Sequence, residues 1–113
     1  MIIADTSIWI EFLKAHEPYF THLRNLLETR TIIALSPIFS ELLQGAKNKA
    51  EKGTIKDYWF NLPKIDETEL FIRSGLYASE HHLFSKGIGL IDSSIIVSAI
   101  DTGSVIWSLD KKL

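Results

Sequence analysis

Four acidic residues fall where a predicted strand ends or a predicted helix begins. Asp5 ends the first apolar segment of the chain, and Asp110 lies just past the last one. Glu41 stands one turn into the helix predicted after the second apolar segment, and Asp92 stands at the start of the helix before the last. In open α/β sheets, ligands bind beyond the carboxyl ends of the strands. The four carboxylates are therefore expected to meet at one edge of the sheet.

Carboxylates that lie this close together repel one another, and burial increases the cost of keeping them ionised. A hard divalent cation relieves that repulsion, and Mg²⁺ and Mn²⁺ prefer carboxylate and water oxygens. Because the set contains no His or Cys, it favours these ions over zinc. Such an ion lowers the pKa of a bound water and stabilises charge on a phosphodiester during cleavage. The four acids thus predict attack of water on a phosphate ester.

Each acid also has a purely structural explanation. Asp5 could cap the helix that follows it, and Asp92 could stabilise its own helix through the helix dipole. Glu41 could be an ordinary exposed helix residue, and Asp110 could belong to a turn. A shared site is favoured because these explanations need four independent coincidences to bring all four acids to one edge.

Strand and helix patterns alternate along almost the whole chain, and these elements determine where the four acids lie. Apolar segments predict strands at residues 1–5, 31–35, 62–65 and 105–107, the third being an edge strand because Pro63 lacks a backbone donor. Helical spacing of apolar side chains predicts the intervening helices. The first two begin after the cap candidates Thr6 and Ser7 and after Pro18, and the third begins with Ser36 as its cap and Pro37 as its first residue. The others begin at Thr54 (ending near Phe60), at Asp66 or Glu67 (ending near Ser85) and at Ile91 (ending near Ile100).

The alternation predicts a parallel sheet with helices on both faces, which is a three-layer α/β/α fold. A chain of 113 residues is expected to form one domain, residues 1–113, because two independent cores would not fit. No apolar run approaches the roughly 18 residues of a membrane span, and the N-terminus lacks the basic start of a secretory signal. The absence of cysteine excludes disulfides and thiolate zinc sites. A cytoplasmic protein is expected.

The formal charge of −2 argues at first against a nucleic-acid partner. Of the 14 acidic residues, however, four are the proposed ligands, which leaves ten against 12 Lys and Arg. A bound divalent ion would neutralise part of the cluster as well. The net charge therefore neither supports nor excludes an RNA substrate.

The Lys-rich stretch of residues 47–52, closing at Gly53, is interpreted as a solvated turn, with contact to an RNA backbone as the alternative.

Four motifs, spanning essentially the whole chain in order, resemble those of VapC-type PIN-domain toxins. Residues 5–10 (DTSIWI) resemble the opening motif, in which an apolar strand ends in Asp followed by Thr or Ser. Residues 36–45 (SPIFSELLQG) and 89–99 (GLIDSSIIVSA) are similar to the second and third motifs, each of which contains one acidic ligand. Residues 107–110 (WSLD) resemble the Thr/Ser-x-Asp motif that holds the fourth acid. One such motif would be weak evidence, whereas four in sequence are strong evidence.

The resemblance implies a PIN fold and an Mg²⁺- or Mn²⁺-dependent endoribonuclease, with frequent homodimerisation and a cognate antitoxin. It assigns the metal to Asp5, Glu41 and Asp92, with Asp110 completing the pocket or orienting the attacking water. Thr6 and Ser108 are assigned as hydroxyls that steady the carboxylates.

The family usually continues past the fourth acid into one more short strand, whereas this sequence ends at Leu113. A four-stranded sheet of order 3-2-1-4 without that edge strand is therefore expected, with Asp110 near a mobile end. The alternative function is a PIN-like module that binds RNA or protein with weak or no catalysis.

A phosphotransfer domain also places an Asp at a strand end, but it fits less well. A haloacid dehalogenase needs a second Asp two residues after the first, and Ser7 occupies that position. A receiver domain needs an acidic pair near its first strand and a phospho-acceptor Asp ending a middle strand, and Asp66 has no such partner.

The aromatic and histidine side chains that could also bind a ligand are interpreted as structural residues. The aromatic Trp9, Phe12 and Phe39 are expected in the core or a dimer surface rather than as base-stacking platforms. His81 and His82 are expected on the surface or at an interface.

Overall fold

The computed structural model describes residues 1–113 and consists of six α-helices and a small parallel sheet. Strand β1 spans Ile2–Ala4 and strand β2 spans Val105–Trp107. None of the helices combines the length and apolarity that crossing a membrane requires. The helices are α1 (Thr6–Leu13), α2 (Tyr19–Glu28), α3 (Ser36–Gln44), α4 (Lys49–Asn61), α5 (Leu70–Glu80) and α6 (Leu90–Thr102), with a 3₁₀ turn at Phe84–Lys86.

The first and last strands of the chain lie side by side. β1 and β2 pair in parallel, with Ile2 opposite Val105 and Ala4 opposite Trp107. Because parallel strands end at the same edge of a sheet, the residues that follow each of them become neighbours. The α/β class and its parallel pairing are thereby confirmed, and the two ends of the sequence meet at one edge.

The four-stranded sheet is not confirmed. Residues 31–35 and 62–65, predicted as strands, contribute only isolated parallel bridges. These bridges join Ile2 to Ile32 and Ala34 to Lys64. Pro63 has no backbone N–H to extend a ladder, although its carbonyl accepts the N–H of Ala34 at 2.9 Å. The bridges follow the chain in the order expected for the sheet, but single bridges are too short to count as strands.

Helix α4 begins earlier than predicted and replaces the expected turn at residues 47–52. The side chain of Asn48 caps it by accepting the backbone N–H of Glu51 at 2.8 Å. Gly53, interpreted from the sequence as the end of the turn, lies inside the helix. The prediction was wrong because an effective N-cap such as Asn outweighs the modest helix cost of one glycine.

Helix α5 is shorter at both ends than the helix predicted from Asp66 or Glu67 to about Ser85. At its start, the carboxylate of Asp66 accepts the backbone N–H of Thr68 at 2.9 Å, and Glu69 has a left-handed φ of 59°. At its end, His82 has a left-handed φ of 55°. A side chain that bonds its own backbone competes with helix formation, so the first turn is lost. The surface position predicted for His81 and His82 is confirmed, since both are exposed.

An aromatic cluster fills the core between the helices. Trp9, only 1% exposed, lies with its ring centroid 5.1 Å from that of Phe39 and 5.7 Å from that of Phe12. Tyr58 of α4 completes the cluster at 5.4 Å from Trp9. Burial of one such side chain is worth about 2 to 3 kcal/mol. These aromatics are therefore core residues, and the cluster packs α1, α3 and α4 together behind the sheet edge.

Candidate active site

Asp5 joins β1 to α1 and is buried. Its Oδ1 accepts the backbone N–H groups of Ser7 at 3.0 Å and Ile8 at 3.4 Å, so Asp5 caps α1. The caps predicted at Thr6 and Ser7 are therefore wrong by one or two residues, because both already lie in the helix. Its Oδ2 accepts the hydroxyl of Ser108. Both oxygens are held in fixed directions, which a helix cap alone does not require.

Two serines tie the segment after β2 to the segment after β1. The hydroxyl of Ser7 donates to Asp5 and accepts the backbone N–H of Leu109 at 3.1 Å. The hydroxyl of Ser108 donates to the other oxygen of Asp5 and accepts the backbone N–H of Asp110 at 2.9 Å. Asp110 is exposed, yet this network fixes its backbone beside Asp5. The sequence predicts Ser7 as a cap, and no local pattern could reveal its contact with Leu109 across the whole chain.

Glu41 approaches the same region from α3. Its Oε1 accepts the hydroxyl of Thr6 at 2.7 Å, which links the first residue of α1 to the middle of α3. Glu41 is otherwise exposed. The hydroxyls of Thr6 and Ser108 thus each donate to one of the acids selected from the sequence.

Asp92 lies in the first turn of α6 and is half-buried. Burial raises the pKa of its carboxyl, and the negative charges of Asp110, Glu41 and Asp5 raise it further, in that order. An interaction with the backbone of Gly89 acts in the opposite direction. Because charge interactions weaken with distance and with screening by water, all three acids lie in the neighbourhood of Asp92.

The side chains do not converge as they stand. No three acidic, His or Cys side chains of the protein are close enough to hold one metal ion together. The donor set nevertheless suits a hard cation, since it contains only carboxylates and their mutual repulsion at Asp92 is what such a cation relieves. Glu41 and Asp110 are exposed, and one oxygen of each carboxylate accepts a hydrogen bond, from the hydroxyl of Thr6 and the backbone N–H of Lys112, respectively. The other oxygen of each remains available to a cation.

A further carboxylate at this edge, Glu67, was not singled out from the sequence. Its two oxygens accept the backbone N–H of Ser36, at 2.9 Å, and the hydroxyl of the same residue. Ser36, predicted as the cap of α3, is instead its first residue, and Leu35 at the cap position provides no side-chain acceptor. Glu67 supplies this acceptor although it lies 31 residues further along the chain, so no local sequence pattern could reveal the contact.

The family model of the PIN domain matches residues 2–113. A protein named ribonuclease VapC32 from Mycobacterium tuberculosis (strain CDC 1551 / Oshkosh) is 28% identical to this chain over 117 residues. The match covers all of this chain and 87% of that protein. The ribonuclease VapC32 of strain ATCC 25618 / H37Rv matches over the same length with the same identity.

Proposed function

This chain belongs to the PIN-domain family, and we propose that it is a divalent-metal-dependent endoribonuclease, the toxin of a type II toxin–antitoxin pair. Its VapC relatives are named as ribonucleases, which supports the activity. The observation that carries the proposal is the environment of Asp92. Burial raises the pKa of its carboxyl, and Asp110, Glu41 and Asp5, from three distant parts of the chain, raise it further. The hydroxyls of Ser108 and Thr6 hold two of these acids, Asp5 and Glu41.

In this proposal Asp5, Glu41 and Asp92 hold Mg²⁺ or Mn²⁺, and Asp110 completes the pocket or orients the attacking water. When bound, the ion makes a coordinated water more acidic and neutralises charge on the phosphate. Hydroxyl groups of the protein orient the carboxylates: those of Ser108 and Ser7 hydrogen-bond to Asp5, and that of Thr6 hydrogen-bonds to Glu41. Hydroxyls of this kind commonly govern metal affinity or activity by about 10- to 100-fold.

The proposal includes the sheet and the cellular setting of the VapC type. We place residues 62–65, 31–35, β1 and β2 in the order 3-2-1-4 within a three-layer, single-domain fold of residues 1–113. The bridges Ala34 to Lys64 and Ile2 to Ile32 support that order. The protein works in the cytoplasm, where it cleaves RNA and is held by a cognate antitoxin. A basic side chain of the antitoxin entering the acidic cluster would replace the cation.

We also propose a homodimer, formed through an α5–α6 patch that we define by Ile72, Leu76 and Ile100. These side chains are 69%, 60% and 60% exposed. Ile72 and Leu76 lie one helical turn apart on α5, and Leu76 and Ile100 line the same shallow groove between α5 and α6. Such apolar exposure on two packed helices is typical of a subunit interface.

A second function, a PIN-like module that binds RNA or protein without efficient cleavage, is favoured by one observation. The four acids do not converge closely enough to hold a metal ion as their side chains are placed. In such a module the carboxylates would serve mainly as caps and surface groups, as Asp5 does for α1.

The two functions are separated by incubating the protein with a pool of structured RNAs in Mg²⁺, in Mn²⁺ and in EDTA. Asp5→Asn and Asp92→Asn remove candidate ligands. Asp57→Asn is the matched control, because Asp57 is exposed on α4 and is not among the charges that act on Asp92. Metal-dependent cleavage that is lost in the first two variants and kept in the control supports the nuclease. A folded wild-type protein that cuts nothing in either metal would support the binding module instead.

A further inference from the structure

A groove of about 250 Å³ opens beside the acidic cluster, between α1, α3 and the start of α4. Glu41 forms part of its wall, so the groove is continuous with the proposed site. Three aliphatic side chains, Ile10, Leu13 and Leu42, form its apolar surface. Its size is near the lower end for small-ligand pockets, about 300 Å³. A groove of this kind holds one flat or compact group next to Glu41.

Two lysines place positive charges on the rim of this groove, which also contains two glutamates. Lys14 follows the last turn of α1, and Lys47 precedes α4. Both are exposed and neither takes part in an ion pair, since the two pairs of the protein are His16–Glu11 and Arg73–Asp101. Glu51 is the one acid of the groove besides Glu41, and it bonds neither lysine. Two free ammonium groups therefore face a partner that enters here.

We infer that this groove is the subsite for the nucleotide next to the scissile phosphate of a single-stranded RNA. Lys14 and Lys47 contact the phosphate of that nucleotide, and the aliphatic surface contacts its ribose and base. The inference rests on the proposed function, because it takes the phosphate that is cut to lie at Glu41. It also gives a role to Lys47, the first residue of the Lys-rich stretch and the one lysine of that stretch that lines the groove.

Charge and chemistry favour a nucleotide over a protein segment here. An apolar peptide would cover the aliphatic surface but offer no anionic partner to the exposed ammonium groups of Lys14 and Lys47. A nucleotide offers an anionic phosphate to the rim and an apolar face to the floor in one group. A base can enter such a groove only when it is unstacked, which is why the strand is single.

The test is binding of a mixed-sequence, fluorescein-labelled 2′-O-methyl RNA octamer in EDTA, followed by fluorescence anisotropy. The double variant Lys14→Ala/Lys47→Ala is compared with Lys52→Ala/Lys56→Ala, which removes two exposed lysines of α4 that do not line the groove. Each lost phosphate contact is expected to lower the slope of log affinity against log salt by about 0.7. We expect the first variant to bind roughly 10-fold more weakly and the control less than about 3-fold.

Glu51→Gln provides a change of opposite sign. Removing its negative charge from the groove is expected to tighten RNA binding by roughly 2- to 3-fold, because the phosphate is no longer repelled. The unfolding midpoint of each variant shows that the fold is intact. A general loss of positive charge cannot explain tighter binding by this variant together with weaker binding by the lysine variant.

Binding in EDTA separates this inference from the proposed nuclease. If the protein cleaves nothing but the lysine variant loses affinity and salt dependence, the subsite stands and the nuclease fails. If cleavage is metal-dependent but the lysine variant binds and cuts like wild type, the nuclease stands and the subsite is overturned. Equal losses in the lysine variant and its control also overturn the subsite, as does unchanged binding by Glu51→Gln.

Discussion

Among single residues, Asp92 shows what it costs the fold to bury a carboxylate partly and to surround it with other negative charges. Its raised pKa means that the folded protein holds a proton at this carboxyl in a pH range where the unfolded chain has released it. Stability therefore falls as pH rises through the unfolded pKa towards the folded one, and the loss remains at neutral pH. Replacing Asp92 with a neutral residue should therefore raise the free energy of unfolding at neutral pH.

We predict that Asp92→Asn raises the free energy of unfolding in EDTA at about pH 7 by less than about 1 kcal/mol, since solvent screens a half-buried group. At about pH 3 the carboxyl is protonated in both states, and the difference should disappear. Urea denaturation at the two pH values measures this, with Asp57→Asn as the control. A destabilised Asp92→Asn variant at neutral pH would mean that the interaction with Gly89 outweighs the repulsion.

Ser108 is the residue whose hydroxyl holds two of the acids at once, by donating to Asp5 and accepting from the backbone of Asp110. We predict that Ser108→Ala lowers RNA cleavage by about 10-fold or more, while Ser108→Thr, which keeps the hydroxyl, retains most of it. The free energy of unfolding should fall by only about 1 kcal/mol in the alanine variant. Initial rates at several Mg²⁺ concentrations separate weaker ion binding from slower turnover. Equal activity in both variants would show that this hydroxyl does not position the acids.

At the scale of elements, α3 depends on a cap that it does not carry itself. Glu67 provides both acceptors at Ser36, and α3 in turn carries Glu41. We predict that Glu67→Ala lowers the free energy of unfolding by about 1 to 2 kcal/mol, the usual cost of losing a helix cap. Glu67→Gln keeps one acceptor and should lose less. Glu28→Ala, at an exposed position of α2, is the control for thermal denaturation, and equal midpoints in all three variants would contradict the prediction.

Local sequence patterns predict some of the helices and strands but not the boundaries of others. The strands β1 and β2 and the helices α1, α2 and α6 follow from apolar spacing and from breaks such as Pro18 and Gly103. The start of α4 and the length of α5 depended on competing side-chain caps at Asn48 and Asp66, whose outcome spacing alone does not decide. The middle segments of the sheet have a strand-like composition, yet they form single bridges, and the pairing of a strand is decided by its neighbours.

The candidate site was predictable in its residue types but not in its connections. The positions of the four acids relative to the apolar segments pointed to one edge, and the effects on Asp92 are in keeping with that placement. The network that orients them was hidden, since Ser108 and Asp5 are 103 positions apart. Such contacts exist only after the first and last strands have paired, so they belong to the whole fold rather than to any motif.

For the whole molecule, Leu76 of the α5–α6 patch lies on α5, which carries none of the four acids, whereas α6 carries both Ile100 and Asp92. A mutation on α5 therefore separates assembly from chemistry. We predict that Leu76→Glu converts the proposed dimer to a monomer, because a charge buried in an apolar interface without a partner is strongly unfavourable. The control is Phe84→Glu, at a residue that is 87% exposed on the 3₁₀ turn outside the patch. Sedimentation velocity gives the oligomeric state of both variants.

The four acids come from a single chain, so a monomeric Leu76→Glu protein is expected to keep its metal-dependent cleavage within about 3-fold of wild type. Loss of cleavage together with dimerisation, in a variant that remains folded, would show that the partner subunit completes the RNA-binding surface. A Leu76→Glu protein that still dimerises would place the interface elsewhere. The exposed residues Ile72 and Ile100 would then require another partner, and the cognate antitoxin would be the first candidate to test by co-sedimentation.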